Sequence, residues 1–178
     1  MRYVAFLRGI NVGGNVLIKM SDLKSMFKAA GFTNVITVGA SGNVAFDAPK
    51  SDSLKVTAEI EAALKQKWKR DIFVMVRSID SLKNLEASQP FKSIKITPNT
   101  RLYITFLKDE PQDRLKLPYT SPEKNFRILK EFDLALISIL EISPKIKTPD
   151  VMLYMEKVYG KQMTTRNWNT IQKILKAA

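Results

Sequence analysis

The sequence predicts an α/β (α+β) fold made of ferredoxin-like split β-α-β subdomains, with antiparallel or mixed sheets and helices packed on one face. Two observations predict it. Apolar runs and helical periodicities alternate in the order β-α-β-β-α-β through residues 1–78, which is the split βαβ arrangement. Residues 79–178 repeat the plan in a looser form. The chain has 178 residues, 45% of them hydrophobic, enough to bury roughly 70% of its unfolded surface. We therefore expect a first ferredoxin-like subdomain over 1–78 and a second αβ subdomain with C-terminal helices over 79–178, packed against the first.

Each element has a local reason. Tyr3 to Leu7 is a short apolar run closed by Gly9, a buried-strand pattern. Ser21 is placed to cap a helix reaching Ala30, with Leu23, Met26, Phe27 and Ala30 at helical spacing and Gly31 as its stop. Val35 to Val38 and Val44 to Phe46 read as strands around a Ser41-Gly42-Asn43 turn. The Ser51-Asp52-Ser53 cluster opens a second helix with Ile60, Leu64 and Trp68 on one face. Its basic end, Lys65, Lys67, Lys69 and Arg70, suits a helix C-terminal dipole. Ile72 to Val76 is the next strand. Beyond it we expect a short helix over Ser81–Ala87 and a strand over Leu102–Leu107. A proline-punctuated stretch with room for one helical turn follows, then a hairpin of Asn125–Lys130 with Ala135–Leu140, and helices over Asp150–Tyr159 and Thr165–Leu175.

Missing residue types narrow the chemistry. The chain has no Cys and no His. Disulfides, Cys/His zinc sites, cysteine nucleophiles and imidazole relays are all excluded. Any reaction would have to use Lys, Asp, Glu, Tyr, Ser, Thr or Arg. Asp109, Glu110 and Asp113 are the nearest thing to an oxygen-ligand cluster, and beside Pro111 they read as a solvated loop. No metal site or cofactor is expected. Arg8 interrupts the first apolar run too early for a signal peptide, and Leu134–Leu140 is too short to span a bilayer. We expect a cytoplasmic protein with no membrane partner; nothing in the sequence sets an oligomeric state.

Twenty-nine basic against 17 acidic residues give a formal charge of +12. Residues 1–89 hold 13 basic and 8 acidic side chains, and residues 90–178 hold 16 and 9, so the bias runs along the whole chain. Such a balance suits nucleic acid or another anion, and equally a Lys-rich solvated surface.

Three motifs carry candidate site residues. Arg8-Gly9-Ile10-Asn11-Val12-Gly13-Gly14 follows the first strand, where glycines let backbone N–H groups converge on an anion. The spacing from Gly9 to Gly14 matches a P-loop, but Asn15 and Val16 stand where Lys and Ser/Thr are required. A structural turn with Asn11 left-handed and a small-anion loop remain as readings. Ser41, Gly42 and Asn43 form a hairpin turn that would face this loop if the first and third strands are neighbours. Thr164, Thr165, Arg166, Asn167 and Asn169 form a polar run at an expected helix start, either an anion site with an arginine fork or a well-capped helix. Lys19 adds a cation ahead of the first helix. Tyr3, Phe6, Tyr103 and Phe106 fall on strands, as in RNA-binding ferredoxin-like domains, but the chain lacks their Lys/Arg-Gly-Phe/Tyr opening.

Four runs together resemble a known bacterial family, the domain of unknown function 1697. They are Tyr3–Gly14, Lys19-Met20-Ser21-Asp22-Leu23, Ser41-Gly42-Asn43-Val44 and Thr164–Thr170, and they span nearly the whole chain in the family's order. The resemblance implies ferredoxin-like α/β subdomains and brings no activity. Relatives tend to carry an aromatic-rich strand, a Gly-rich turn and a Ser-Lys pair where this chain has Leu140-Glu141-Ile142-Ser143-Pro144-Lys145-Ile146-Lys147-Thr148. A site lined by that loop would be altered here.

Three functions follow as expectations. The first is binding of nucleic acid or a phosphorylated metabolite where the three motifs converge, with charge from Arg8, Lys19 and Arg166. The second is an enzyme using Lys or carboxylate chemistry. The third is a non-catalytic interaction module.

Overall fold

The computed structural model describes residues 1–12, 16–49, 52–144 and 148–178, with backbone alone at 148–150. It contains two antiparallel sheets and two compact units, Met1–Asn84 with Thr170–Ala178, and Leu85–Asn169. The first unit extends past the expected end at residue 78 and takes in the C-terminal residues.

In the first unit the elements run β1 (Arg2–Leu7), α1 (Met20–Ala29), β2 (Thr33–Thr37), β3 (Asn43–Asp47), α2 (Ser53–Trp68) and β4 (Val74–Ser78). The sheet order β2-β3-β1-β4 is all antiparallel, as a split βαβ requires. Period-two alternation turns Tyr3, Ala5, Leu7, Val44, Phe46, Val74 and Val76 to one face. Against it pack Leu23, Met26 and Phe27 of α1 and Val56, Ile60 and Leu64 of α2. Both helices therefore cover the same face. Phe27, Phe32 and Phe46 form its ring cluster, with centroids 4.7–5.7 Å apart.

Local chemistry corrects one expected cap. α1 begins at Met20 with Lys19 in the cap position and no side-chain cap, so Ser21 lies inside the first turn. α2 starts as expected, with the Asp52 carboxylate accepting from the Leu54 amide at 3.0 Å. Lys50 and Ser51 lie outside the described residues.

The second unit holds β5 (Thr100–Leu107), β6 (Tyr119–Thr120), β7 (Phe126–Phe132), β8 (Ala135–Glu141), α4 (Thr148–Tyr159) and β9 (Met163–Asn167). α3 (Ile79–Ala87) and α5 (Trp168–Ala177) each run across a unit boundary. The order β6-β7-β8-β5-β9 reproduces the first sheet when β5, β7, β8 and β9 take the places of β1 to β4. The first crossover helix has no counterpart. Residues 108–118 make that connection with no regular element, and the two-residue β6 pairs with β7 in the stretch where the sequence left room for one helical turn. Val151, Met155 and Tyr159 of α4 pack on Tyr103, Leu107, Leu136 and Leu140.

A second correction concerns the C-terminus. Thr165–Asn167 are not helical: they finish β9, paired to β5 from Leu107↔Met163 to Tyr103↔Asn167. Two adjacent β-branched threonines suit a strand better than a first helical turn. The Thr105 and Thr165 hydroxyls join across the pair at 2.8 Å. The helix starts only at Trp168.

The central strands of each sheet are buried on both faces. The faces without α1, α2 or α4 carry Val4, Phe6, Ala45 and Met75 in one unit and Ile104, Phe106, Ile137 and Ile139 in the other, none above 1% exposed. Tyr3 and Tyr103, on the helix-covered faces, are buried as well. The four strand aromatics Tyr3, Phe6, Tyr103 and Phe106 are thus all buried, unlike the exposed stacking residues of an RNA-binding sheet.

At the outer edge of the first sheet, the Asn34 amide donates to Asp47 at 2.6 Å and Arg2 pairs with the same carboxylate at 3.3 Å. Asn34 above all, then Arg2, hold the Asp47 carboxyl below the usual carboxylate range, against an opposing push from burial. A group depressed in the folded state stabilises the fold above its unfolded pKa and loses that contribution as pH falls. Stability should therefore drop between about pH 5 and about pH 3. Urea midpoints at the two pH values should show a smaller drop in Asp47→Asn than in the parent.

Candidate functional site

The first two motifs meet at the end of β1. The ladder continues one step past the strand, with the Leu7 amide donating to Gly42 O at 2.8 Å and Arg8 N to Phe73 O at 2.9 Å. The chain then reverses, with Gly9 at φ 67° and Asn11 at φ 55°. Glycine tolerates that region freely, and asparagine more readily than most residues.

Asn11 is the joint of the site. Its amide donates to Ile18 O and to Ala40 O, each at 2.8 Å, and its Oδ1 accepts from the Ile18 N–H at 2.8 Å. Its own N–H donates to Val16 O at 2.8 Å. One side chain thus ties the loop after β1 to the lead-in of α1 and to the hairpin turn between β2 and β3. Ile10, 1% exposed, fills the space behind it. It lies so near Gly42 that a Cβ there would stand 2.7 Å from Ile10 Cδ1 and 2.9 Å from Leu7 Cβ. With φ at 74°, Gly42 is required twice over, by backbone conformation and by space.

Asn43 is structural too. It is fully buried, and its amide donates to Val38 O at 2.9 Å and to the Ser41 hydroxyl at 3.2 Å. Of the motif residues in this unit, Asn11, Gly42 and Asn43 therefore build the junction. Arg8 is part-buried; Gly9 and Lys19 are exposed; Ser41 is part-exposed. These four are the motif residues that the described part of the junction presents, beside the start of α1 and the exposed Val12 and Leu17. Gly13 and Gly14 lie outside the described residues.

The third motif belongs to the second unit and is arranged otherwise. Arg166 lies on the face away from α4, only 8% exposed, opposite Ile104. Its guanidinium donates to Thr164 Oγ1 at 2.7 Å and Thr165 O at 2.9 Å. Burial pulls its pKa down to about 10, so it stays cationic near neutral pH. Thr164 and Thr165 do not cap α5. Asn167 takes that part, its Oδ1 accepting from the Asn169 N–H at 3.3 Å.

Two features carried no sequence signal. Ile10 reads as one more loop residue in the motif, yet it is the plug on which the turn closes. Tyr119 and Tyr154, 35 positions apart in no motif, stack at 5.9 Å beside a cavity. Asp109, Glu110 and Asp113 line a separate cavity of about 450 Å³ with Lys157 and Lys161. Arg114 pairs with Glu110 and, at 2.8 Å, with Glu131. Among the described residues no acidic group is assembled to hold a metal ion, and no helix is long and apolar enough to cross a membrane.

Two substitutions test the joint. Asn11→Gly removes the three side-chain bonds while suiting the positive φ, and should cost about 2–3 kcal/mol in urea unfolding. Gly42→Ala should cost about 1–3 kcal/mol through crowding and backbone strain. A change below about 0.5 kcal/mol in either, the scatter usual for surface substitutions, would show that the junction is not held as described.

The wider relationships fit this architecture. The structure of conserved bacterial protein SP0830 from Streptococcus pneumoniae is similar, with a TM-score of 0.73 over 99% of this chain and 97% of that one, at 20% identity. At that identity the likeness speaks to the fold. No curated protein matches the chain. The model of the family described as "Protein of unknown function (DUF1697)" matches residues 1–127, which include both the loop after β1 and the hairpin turn, and the chain belongs to that family.

Proposed function

We propose that the junction after β1 binds a small anionic ligand, a metabolite bearing phosphate or carboxylate. One observation carries the reading: α1 starts without a side-chain cap, and Asn11 fastens that start beside the loop holding Arg8 and Gly9. The first N–H groups of a helix lie at the positive end of its dipole; in α1 the Asp22 and Leu23 amides already donate to Lys19 O at 3.0 Å, so Met20 and Ser21 carry the outermost ones. Lys19 stands at that end, where most helices place an oxygen-bearing side chain. An anion is the complementary partner. The Asn11 clamp removes the entropic cost of ordering the loops at the moment of binding.

Nucleic acid is the second reading, favoured only by the +12 charge. A small ligand is preferred because the strand aromatics and Arg166 are buried.

Calorimetry with inorganic phosphate and pyrophosphate tests the proposal. Saturable binding is expected, weakened about tenfold in each of Arg8→Ala and Lys19→Ala, as befits loss of one charge-assisted contact. Unchanged affinity in both variants would overturn it. So would binding confined to single-stranded RNA or DNA that fades by about 150 mM salt, the mark of non-specific charge.

A further inference from the structure

A second cavity, in the Leu85–Asn169 unit, has different chemistry. It measures about 340 Å³, inside the range of small-ligand pockets. Tyr119, Tyr154, Phe126, Val151 and Pro122 line it, with Glu123 as the charged residue among them. Tyr119 and Tyr154 stack nearly parallel, 15° apart with centroids 5.9 Å from each other. Phe126 is 2% exposed and Val151 6%, so both belong to the core beneath.

The polar groups of the wall are engaged. The Ser121 hydroxyl accepts from the Phe126 N–H at 3.2 Å, and the Ser121 amide and carbonyl bond Phe126 O and Lys124 N at 2.8 and 2.9 Å. These bonds close a tight turn, with Lys124 at φ 57°, that carries Glu123 on the rim. The Tyr154 hydroxyl bonds that of Tyr119 and, with burial and the charges of Tyr154 and Glu123, lifts the Tyr119 pKa to about 12. The Tyr119 ring thus presents a neutral π face near neutral pH. Glu123 is exposed and makes no ion pair among the described residues, in a chain with 29 basic side chains.

We propose that this cavity is a recognition site for a small organic cation, an ammonium group carrying apolar substituents. Aromatic faces attract a cation through the ring quadrupole, most strongly where water is displaced. Val151 and Phe126 receive the substituents, and Glu123 supplies the countercharge. A simple hydrated metal ion fits poorly, because among the described residues the wall offers one carboxylate, a Ser121 hydroxyl held in its own turn, and otherwise rings and aliphatic carbon. The site is independent of the anion site proposed above: it lies in the other unit and takes ligands of opposite charge.

Amide chemical shifts of the full ¹⁵N-labelled chain, titrated with choline chloride, provide the test. Shifts should concentrate in residues 119–126 and 151–155 and saturate. The neutral isostere 3,3-dimethylbutan-1-ol should bind about tenfold more weakly, consistent with the strength of a partly desolvated cation–π contact. Glu123→Gln, at an exposed turn position, should keep the fold and weaken choline severalfold. Tyr154→Leu should weaken choline more than it weakens the alcohol. Equal binding of choline and alcohol, no change in Glu123→Gln, or shifts outside the cavity would each overturn the proposal.

Discussion

β1 is buried on both faces and paired on both edges, so every peptide group at its end needs a partner inside the protein. That constraint shapes the first unit's loops. The ladder extends to Arg8, and the chain must then turn away while still satisfying what it passes. A positive-φ reversal at Gly9 and an asparagine side chain standing in for missing backbone partners meet the need. Asn11 mimics a strand of ladder where no strand exists, donating twice and accepting once. Its neighbours follow: Ile10 turns inward as a plug, and Gly42 stays bare because the plug fills the space of a side chain. Residues that resemble a phosphate-binding signature therefore have a structural job first. Binding, in this account, uses what the scaffold leaves facing outward: Arg8, Gly9, Lys19, Ser41 and the open start of α1.

The first unit was largely legible in the sequence because its signals are local. Leu23, Met26 and Phe27 mark a helix face, Asp52 marks a cap, and Ser41-Gly42-Asn43 marks a hairpin. Together they point to a split βαβ with both helices on one face, and the structure has that arrangement in the strand order 4-1-3-2. The α1 cap was not legible. Ser21 has the right chemistry, but the Asn11–Ile18 bonds fix the lead-in two residues earlier and leave Lys19 at the cap. Tertiary pairing also overrode local preference at Thr165–Asn167. Polar residues ahead of an amphipathic helix look like a helix start until the β5 edge claims them as a strand. The burial of Arg166 was hidden for the same reason, since period-two alternation decides its face only once the strand is known.

The second sheet repeats the strand order of the first without its first crossover helix. A proline-punctuated connection and the short β6 take its place beside β7, and the Tyr119–Tyr154 cavity lies at that altered end. Sequence periodicity shows such a replacement only as irregularity. The positive charge has a plainer reading: basic side chains are spread through both units, and Arg166 is buried.

The central claim is that the junction held by Asn11 is an anion site rather than a turn alone. The most direct measurement is residue-resolved: amide shifts of the ¹⁵N-labelled chain titrated with pyrophosphate at about 150 mM salt, which screens charges beyond about 8 Å. The account predicts one saturable set of shifts at Gly9, Ile10, Ser41 and the first turn of α1 from Met20 to Leu23. Shifts scattered over lysine-bearing surfaces in both units, growing without saturation, would contradict it and leave the motif with its structural role alone.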